Sequence, residues 1–421
     1  MLYVEHLQHV DAATWDDLLI KSPGGGHALQ TYAWGEVKST QGWTPLRLAL
    51  KDGDSVLGVG QVLVRRPPGV PMAVAYCPKG PWINWASAEH VRAMVEGMEQ
   101  IARRNGAVVL KIESELLFGP GLPDRIPPSV EAPLHRAIVM ARRLRRVRLD
   151  LRGPGAIEPN GKMEQDGRIA EARIGILAAR EAQAADGQTP GRRVLAERGF
   201  VKSRWDLQFR TTMVVDLDRP PDAMLARMKS KWRYNVNLAE RKGVRVEQND
   251  GSAARHLLYD MYRRTAERDG FLLRSRSYFE RAWETMIGAG HAHIFLASHG
   301  GRPLAAMLLF VLGRKAWYQI GASETEGRNL MPAHALQFCV MQWAQQRGIT
   351  YYDMVAIPNL ENLSVDDPMW GLYVFKSGFG GRPVEWAGCF DKVLDPRGHA
   401  WEAFEPAYYR LYNWRVKDVM Y

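Results

Sequence analysis

The stretch IFLASHGGRPLAAMLLFVL, residues 294–312, decides the fold class because it contains two strands and the turn that joins them. Residues 294–297 form an apolar run of strand length, and 304–312 form a longer one. Between them, residues 299–302 (HGGR) carry a turn signal. The sequence therefore predicts a strand, a turn and a return strand at this point.

The chain around this stretch shows the same order of elements twice. In the second half, a third strand, a helix ended by Arg347-Gly348 and a last strand are predicted at 317–320, 333–346 and 351–355. In the first half, three strands, a helix ended by Asn105-Gly106 and a last strand are predicted at 46–50, 56–64, 72–76, 89–104 and 108–112. Helical stretches precede both copies, at 15–20 and 32–38 and then at 257–268 and 278–287. Two copies of one mixed α/β unit are the simplest interpretation, and a chance likeness between common α/β patterns is the alternative.

Composition sets limits on the class of protein. The chain has 421 residues, of which 46% are hydrophobic and 24% charged, which excludes a mainly disordered, collagen-like or coiled-coil protein. No run of about 18 apolar residues predicts a membrane-spanning helix, and the first residues do not resemble a secretory signal. Three widely separated cysteines do not form a disulfide framework or a zinc site, so we expect a reduced, cytoplasmic protein.

Positive charge is in excess, with a formal net charge of +10. This balance favours polyanionic partners such as RNA, nucleotides or phospholipid headgroups, although a basic protein without such a partner is the alternative. Seven arginines lie within 136–152, and a stretch rich in Gly, Pro, Gln and Ala follows to about residue 191. The whole excursion is either a solvated linker or, in its arginine-rich part, a surface that faces RNA.

Several common catalytic motifs are absent from the sequence. There is no P-loop, no Gly-x-Gly-x-x-Gly at the start of a helix after a strand, and no Gly-x-Ser-x-Gly elbow. His291 and His293 could share one strand face, but no third metal ligand lies near them in the sequence. An enzyme of this sequence is therefore expected to work by positioning and electrostatics.

Four stretches carry a more specific signal when they are taken together. They are LQTYAWGEVK (29–38), YCPKGP (76–81) with KIESE (111–115), KWRYNVNLAERKG (231–243), and YDMV (352–355) followed by FKSGFG (375–380). In these motifs the chain resembles the FemABX family of non-ribosomal peptidyltransferases of peptidoglycan synthesis, over about residues 28–115 and 200–395. The resemblance implies two tandem acetyltransferase-like (GNAT) domains, an α/β fold of mixed twisted sheets flanked by helices. It also implies transfer of an amino acid from aminoacyl-tRNA to the side-chain amine of the third stem-peptide residue, Lys or Orn, which builds the interpeptide bridge.

The reaction that the resemblance implies requires few catalytic groups. An aminoacyl ester is already activated, so no metal or cofactor is expected, but the attacking amine has a reference pKa of about 10.4 and must lose a proton. Lys376, with its neighbour Phe375, matches the family's catalytic site, and we expect Lys376 to stabilise the oxyanion or the terminal phosphate of the tRNA. Glu113 lies where relatives usually carry aspartate, and it is expected either to orient or deprotonate the amine or to form a salt bridge at a strand end.

Further residues match positions that relatives use around the diphosphate and sugar of the precursor. Lysine, arginine and tyrosine side chains suit such groups because they donate hydrogen bonds to phosphate oxygens. Helix-face charges, packing and a structural cap are the alternative roles. The residues that match these positions are Lys38, Arg233 and Tyr234. Three further candidates are Lys231, which lies close to them in sequence, Tyr278 in the RSRSY stretch, and Asp353, which is expected at the end of a predicted strand, where sites often lie in open sheets.

Three other functions stay open at this point. An acyl-CoA-dependent N-acyltransferase shares the domain type, but residues 327–333 (GRNLMPA) lack the glycines of a CoA pyrophosphate loop. A leucyl/phenylalanyl-tRNA–protein transferase would use a protein N-terminus as acceptor. A non-catalytic RNA-binding protein with decayed acyltransferase folds would bind RNA without turnover.

The resulting predictions are as follows. Residues 1–215 form a first GNAT-like domain with the excursion at about 136–191, residues 216–388 form a second, and 389–421 return to the first. The expected partners are aminoacyl-tRNA, UDP-MurNAc-pentapeptide or lipid II, and peripherally the inner membrane surface. We expect a monomer that works in the cytoplasm.

Overall fold

A computed structural model describes residues 1–117, 189–359, 364 and 366–416. The arginine run at 136–152 and almost all of the excursion that follows it therefore lie outside the described residues.

The described strands form one continuous mixed sheet in the order β1-β2-β3-β4-β5-β13-β7-β12-β11-β10-β9-β8, with β6 paired to β13. The strands are β1 (Leu2–His6), β2 (Trp43–Asp52), β3 (Ser55–Arg65), β4 (Ala73–Pro78), β5 (Ala107–Leu117), β6 (Val201–Lys202), β7 (Thr211–Asp216), β8 (Arg245–Gln248), β9 (Ala292–His299), β10 (Arg302–Leu312), β11 (Lys315–Ser323), β12 (Tyr351–Ala356) and β13 (Arg382–Val393). The order β2-β3-β4-β5 in one half is mirrored by β12-β11-β10-β9 in the other. The mixed α/β fold with two copies of one unit is thereby confirmed.

Helices cover this sheet in both halves. They are α1 (Ala12–Lys21), α2 (Tyr32–Ser39), α3 (Ala88–Arg104), α4 (Pro190–Glu197), α5 (Pro221–Arg227), α6 (Ser230–Arg241), α7 (Ser252–Asp269), α8 (Arg276–Gly288), α9 (Pro332–Gln346), α10 (Trp370–Ser377) and α11 (Arg397–Val416). In the described part of the chain, no helix is both long enough and apolar enough to cross a bilayer.

The helix α3 shows how local sequence produces these elements. The Ser87 side chain accepts a hydrogen bond from the His90 backbone N–H and caps the first turn. Its apolar residues recur at helical spacing and are buried against the first half of the sheet. The helix ends where Gly106 adopts a positive φ of 77°, within one residue of the predicted end.

Strand β13 joins the two halves. Its residues 382–385 pair with β7, and its residues 386–393 pair with β5. The helix that follows, α11, packs Trp401 and Tyr408 into the same core cluster as Trp43 and Tyr76 of the first half. The domain boundaries drawn from the sequence stay a prediction.

Candidate active site

A cavity of about 1650 Å³ lies between the two halves. Its walls come from α2 and residues 204–209 on one side and from β10, β11, the end of β12, α9 and α10 on the other, with the α7–α8 connection and α11 at its edges. Pockets for single small molecules are commonly about 300–1,000 Å³. This cavity is large enough for two bulky substrates to meet.

The cavity lining is strongly cationic. Among the described residues it contains seven Lys or Arg side chains but only two carboxylates, Asp206 and Asp269. A lining of this kind attracts phosphate-bearing ligands. The cations are Lys38, Arg204, Arg268, Arg274, Arg328, Lys376 and Arg410.

Lys376 is the most deeply buried of these cations. It lies in the last turn of α10, three residues after Tyr373, so the two side chains share the buried face of the helix. The side chain is only 3% exposed, and Nζ donates hydrogen bonds to the carbonyl oxygens of Val355 at 3.1 Å and Ala356 at 2.8 Å. The ring centre of Tyr318 lies 5.6 Å from Nζ.

The electrostatic environment suits Lys376 for proton transfer. Burial lowers the pKa of Lys376 to about 7, against the opposing attraction of the Asp353 carboxylate. A lysine of this pKa is divided between its neutral and charged forms near neutral pH. It can therefore stabilise an oxyanion when protonated and accept a proton when neutral.

Three other predicted site residues line the same cavity. Phe375 precedes the lysine and contacts the rings of His334 and Phe379. Lys38 is 4% exposed and lies over the Trp34 ring, and Tyr278 lies under the guanidinium of Arg274. The structure thus brings Lys376, Phe375, Lys38 and Tyr278 to one surface.

Glu113 occupies a different position from the one its expected role requires. Its carboxylate accepts hydrogen bonds from the Tyr76 hydroxyl at 2.6 Å and from the backbone N–H groups of Leu207 at 3.1 Å and Gln208 at 2.9 Å. Burial raises its pKa, although nearby Lys79 opposes this. Glu113 is not one of the described residues that line the cavity, but Leu207 and Gln208, which it holds, do line it.

Asp353 lies within β12, three residues before the strand ends, and not at the strand end that the sequence predicted. It is also buried behind the cavity wall. It accepts hydrogen bonds from the Thr212 hydroxyl and from the Val355 backbone N–H. Burial raises its pKa. Its neighbours Val355 and Ala356, not Asp353 itself, face the cavity.

The remaining candidates lie on α6, away from the described cavity lining. Arg233 donates to the backbone carbonyls of Ala226 and Met228, so it caps the end of α5. Tyr234 is 57% exposed, and Lys231 is exposed as well. The structure does not bring these three residues together with Lys376.

The sequence reasoning missed several residues of this cavity. Arg274 had a signal, because it stands in the RSRSY stretch that ends at the candidate Tyr278. Gln337 and Tyr318 had none, because they read as core positions of a helix and a strand. The Gln337 Oε1 atom accepts from the Tyr352 hydroxyl beneath the cavity floor, and burial raises the pKa of Tyr318 to about 12.

Comparison with known proteins agrees with this architecture. Residues 12–118 match the family model described as the FemAB family, and residues 226–362 match a model described as an acetyltransferase (GNAT) domain. These matches confirm the resemblance to the FemABX family that the sequence motifs indicated. The expected enzyme class, an aminoacyltransferase, and the tandem GNAT-like fold are confirmed as well.

Two curated sequences and one solved structure are similar to this chain along most of its length. It is 23% identical to the lipid II:glycine glycyltransferases of Staphylococcus saprophyticus and Staphylococcus aureus strain USA300, over 90% of this chain and 91% of theirs. Its fold resembles the crystal structure of FemX, with a TM-score of 0.72 and 21% identity over 95% of this chain and 100% of that one.

Proposed function

We propose that this enzyme transfers an amino acid from aminoacyl-tRNA to the side-chain amine of the third stem-peptide residue, Lys or Orn, of a peptidoglycan precursor. The observation that carries the proposal is the cavity between the halves, which combines a large volume, seven cationic side chains and the buried Lys376. Both substrates carry phosphates, so a cationic lining suits both. The acceptor that we favour is lipid II, because the curated relatives are named for it.

The chemistry follows from the position of Lys376. The acceptor nitrogen forms a bond with the ester carbon, and the bond from that carbon to the terminal ribose oxygen breaks. Of the two protons that the acceptor ammonium loses, one ends on the ribose hydroxyl and the other in solvent. Protonated Lys376 stabilises the negatively charged oxygen of the intermediate. No covalent link to the protein is required.

The remaining lining residues bind the substrates. Lys38, buried beside Trp34, is placed to contact the diphosphate of the precursor from the first half. The arginines at the edges contact the backbone of the tRNA acceptor end, where exposed guanidinium groups bind phosphate readily. We also propose that the reaction takes place on the cytoplasmic side of the membrane.

Mass spectrometry tests the proposal directly. Lipid II and UDP-MurNAc-pentapeptide are each incubated with the protein and a mixture of charged tRNAs, and the product is expected to gain the mass of one amino acid. The variant K376M should not yield this product, whereas K21M should, because Lys21 is an exposed lysine paired with Asp17 on α1. Product with acetyl-CoA and not with charged tRNA would overturn the proposal in favour of a CoA-dependent acyltransferase.

A further inference from the structure

The backbone of Val355 adopts an unusual conformation at the wall of the cavity. Its φ is +55°, in the left-handed region that β-branched residues rarely occupy. A residue in this region persists only where its surroundings hold it there, and such residues concentrate at functional sites.

Asp353 supplies the constraint. Its Oδ1 accepts a hydrogen bond from the Val355 backbone N–H at 2.6 Å, and the same oxygen accepts from the Thr212 hydroxyl on β7. The pairing of β12 with β7 shifts register between Asp353 and Ala356, so Val355 lies in an irregular stretch of the strand. The side chain of Asp353 thus closes a small turn around Val355.

This turn determines what Lys376 can contact. In a regular strand, successive carbonyls point to opposite sides, so one ammonium reaches only one of two neighbours. Here the carbonyls of Val355 and Ala356 both accept from Lys376 Nζ. The left-handed residue is what turns these two carbonyls toward the same cation.

We propose that Asp353 is a positioning residue, which holds Val355 in its left-handed conformation so that two consecutive carbonyls fix the ammonium of Lys376 in the cavity. This inference rests on the proposed transfer reaction for its kinetic test. It assigns Asp353 a role through the backbone in place of contact with substrate.

Four variants test the proposal. D353A removes the acceptor of the Val355 N–H, and D353N keeps an acceptor oxygen but removes the charge. V355G and the double variant D353A/V355G remove the need for the constraint, because glycine adopts a positive φ without strain. D250A is the matched control, since Asp250 also accepts a backbone N–H, that of Ile294 at 2.7 Å, but the strand it holds, β9, does not line the cavity.

We expect the substitutions that disturb the turn to lower kcat and to leave KM unchanged. D353A should lower kcat by about tenfold to hundredfold, the range that a small misplacement of a catalytic group produces. D353N should stay within about threefold of wild type, and D353A/V355G should return to within about threefold of V355G alone. D250A should keep its kcat.

Several outcomes would overturn the proposal. The kcat of D353N could fall as far as that of D353A, which would assign the effect to the charge of Asp353. D353A could raise the KM for the precursor at unchanged kcat, which would assign it to substrate contact. The double variant could fail to recover, or fail to fold where V355G folds, which would leave the glycine without effect.

A measurement without substrate separates this inference from the proposed function. Hydrogen exchange of a peptide spanning 351–357, read by mass spectrometry, should be faster in D353A than in wild type and close to wild type in D353N. Unchanged exchange in D353A would overturn the positioning role even if no transfer substrate were found. Faster exchange together with an inactive wild type would leave the positioning role supported and the proposed reaction rejected.

Discussion

The two parallel strand pairs of this molecule end in different ways. In the first half, β4 and β5 stay paired through residues 73–78, up to Glu113. In the second half, β11 and β12 pair over only three residues and separate after Trp317 and Asp353. The side chain of Lys376 lies between the separated strands. The same unit therefore serves as a closed support in one copy and as an open site in the other.

Two of the buried lysines, one from each half, have opposite surroundings. Lys111 on β5 is 1% exposed and forms ion pairs with Asp391 at 2.9 Å and Glu405 at 3.2 Å. Burial opposes its charged form, but these two carboxylates raise its pKa above the ordinary value. Lys376 has carbonyl partners and a lowered pKa. A buried lysine paired with carboxylates therefore stays charged and stabilises the fold. A buried lysine held by neutral carbonyls can gain or lose its proton near neutral pH and can take part in catalysis.

The largest effect is expected from K111M. This change leaves two buried carboxylates without their cation, so the free energy of unfolding should fall by about 3–5 kcal/mol. Denaturant unfolding measures this loss, and kcat per folded molecule should stay near that of wild type. A variant that is stable but inactive would remove the distinction between the two lysines.

K376M should lower activity and not stability, which is the reverse of the result expected for K111M. Loss of the cation that stabilises the intermediate should lower kcat by about a hundredfold to a thousandfold. Single-turnover transfer measures this effect, with binding of precursor followed separately. If kcat stays the same, Lys376 belongs to the structural class of Lys111.

The pH dependence of stability should separate the two lysines again. The unfolded chain holds the Lys376 proton up to about pH 10.5, whereas the folded state releases it near pH 7, so wild-type stability gains from Lys376 deprotonation as pH rises between these values. Below pH 7 the penalty of the buried charge is fully present. K376M lacks that penalty and should be more stable than wild type by about 2 kcal/mol at pH 6.5, with water replacing the lost donor. Unfolding midpoints at pH 6.5 and 9.5 check this, and a gap that widens at the higher pH would contradict it.

K38M tests what the closed half contributes to the shared cavity. Lys38 lies on α2 in the first half and lines the cavity. Its loss should raise the KM for the precursor by about tenfold at nearly constant kcat, as expected for a phosphate contact equally strong in ground and transition states. A fall in kcat with unchanged KM would place chemistry in the first half as well.

The smallest effect is expected from E113Q. The glutamine keeps an acceptor for the N–H groups of Leu207 and Gln208, so kcat should fall by less than about fivefold. A general base removed from its reaction would lower kcat by about a hundredfold or more. Steady-state kinetics across pH distinguishes the two, and the larger loss would return Glu113 to the role that the sequence suggested.

The sequence was sufficient for most of the fold. Apolar runs and Gly-containing turns predicted β10 at 304–312 and α9 at 333–346, within two residues of the observed bounds. These elements follow local rules of periodicity and capping. The site depended more on distant parts of the chain. Glu113 was expected at a strand end but lies inside β5, which continues to Leu117. The segment it holds lies more than ninety residues away in sequence.

Lys376 shows most clearly what the sequence alone could not predict. A lysine before a glycine at the end of a helix reads as a surface residue, and only the family resemblance singled it out. Its burial depends on Val355 and Ala356 from another strand. The positive φ of Val355 leaves no trace in the sequence, because valine is a residue that propensity assigns to a regular strand.

Strand β13 belongs to both halves of the sheet, and this has a consequence for motion. Backbone hydrogen bonds tie residues 382–385 to β7 and residues 386–393 to β5. The two ladders use different residues of the strand and meet between Glu385 and Trp386, so any relative movement of the two halves has to bend β13 at this junction.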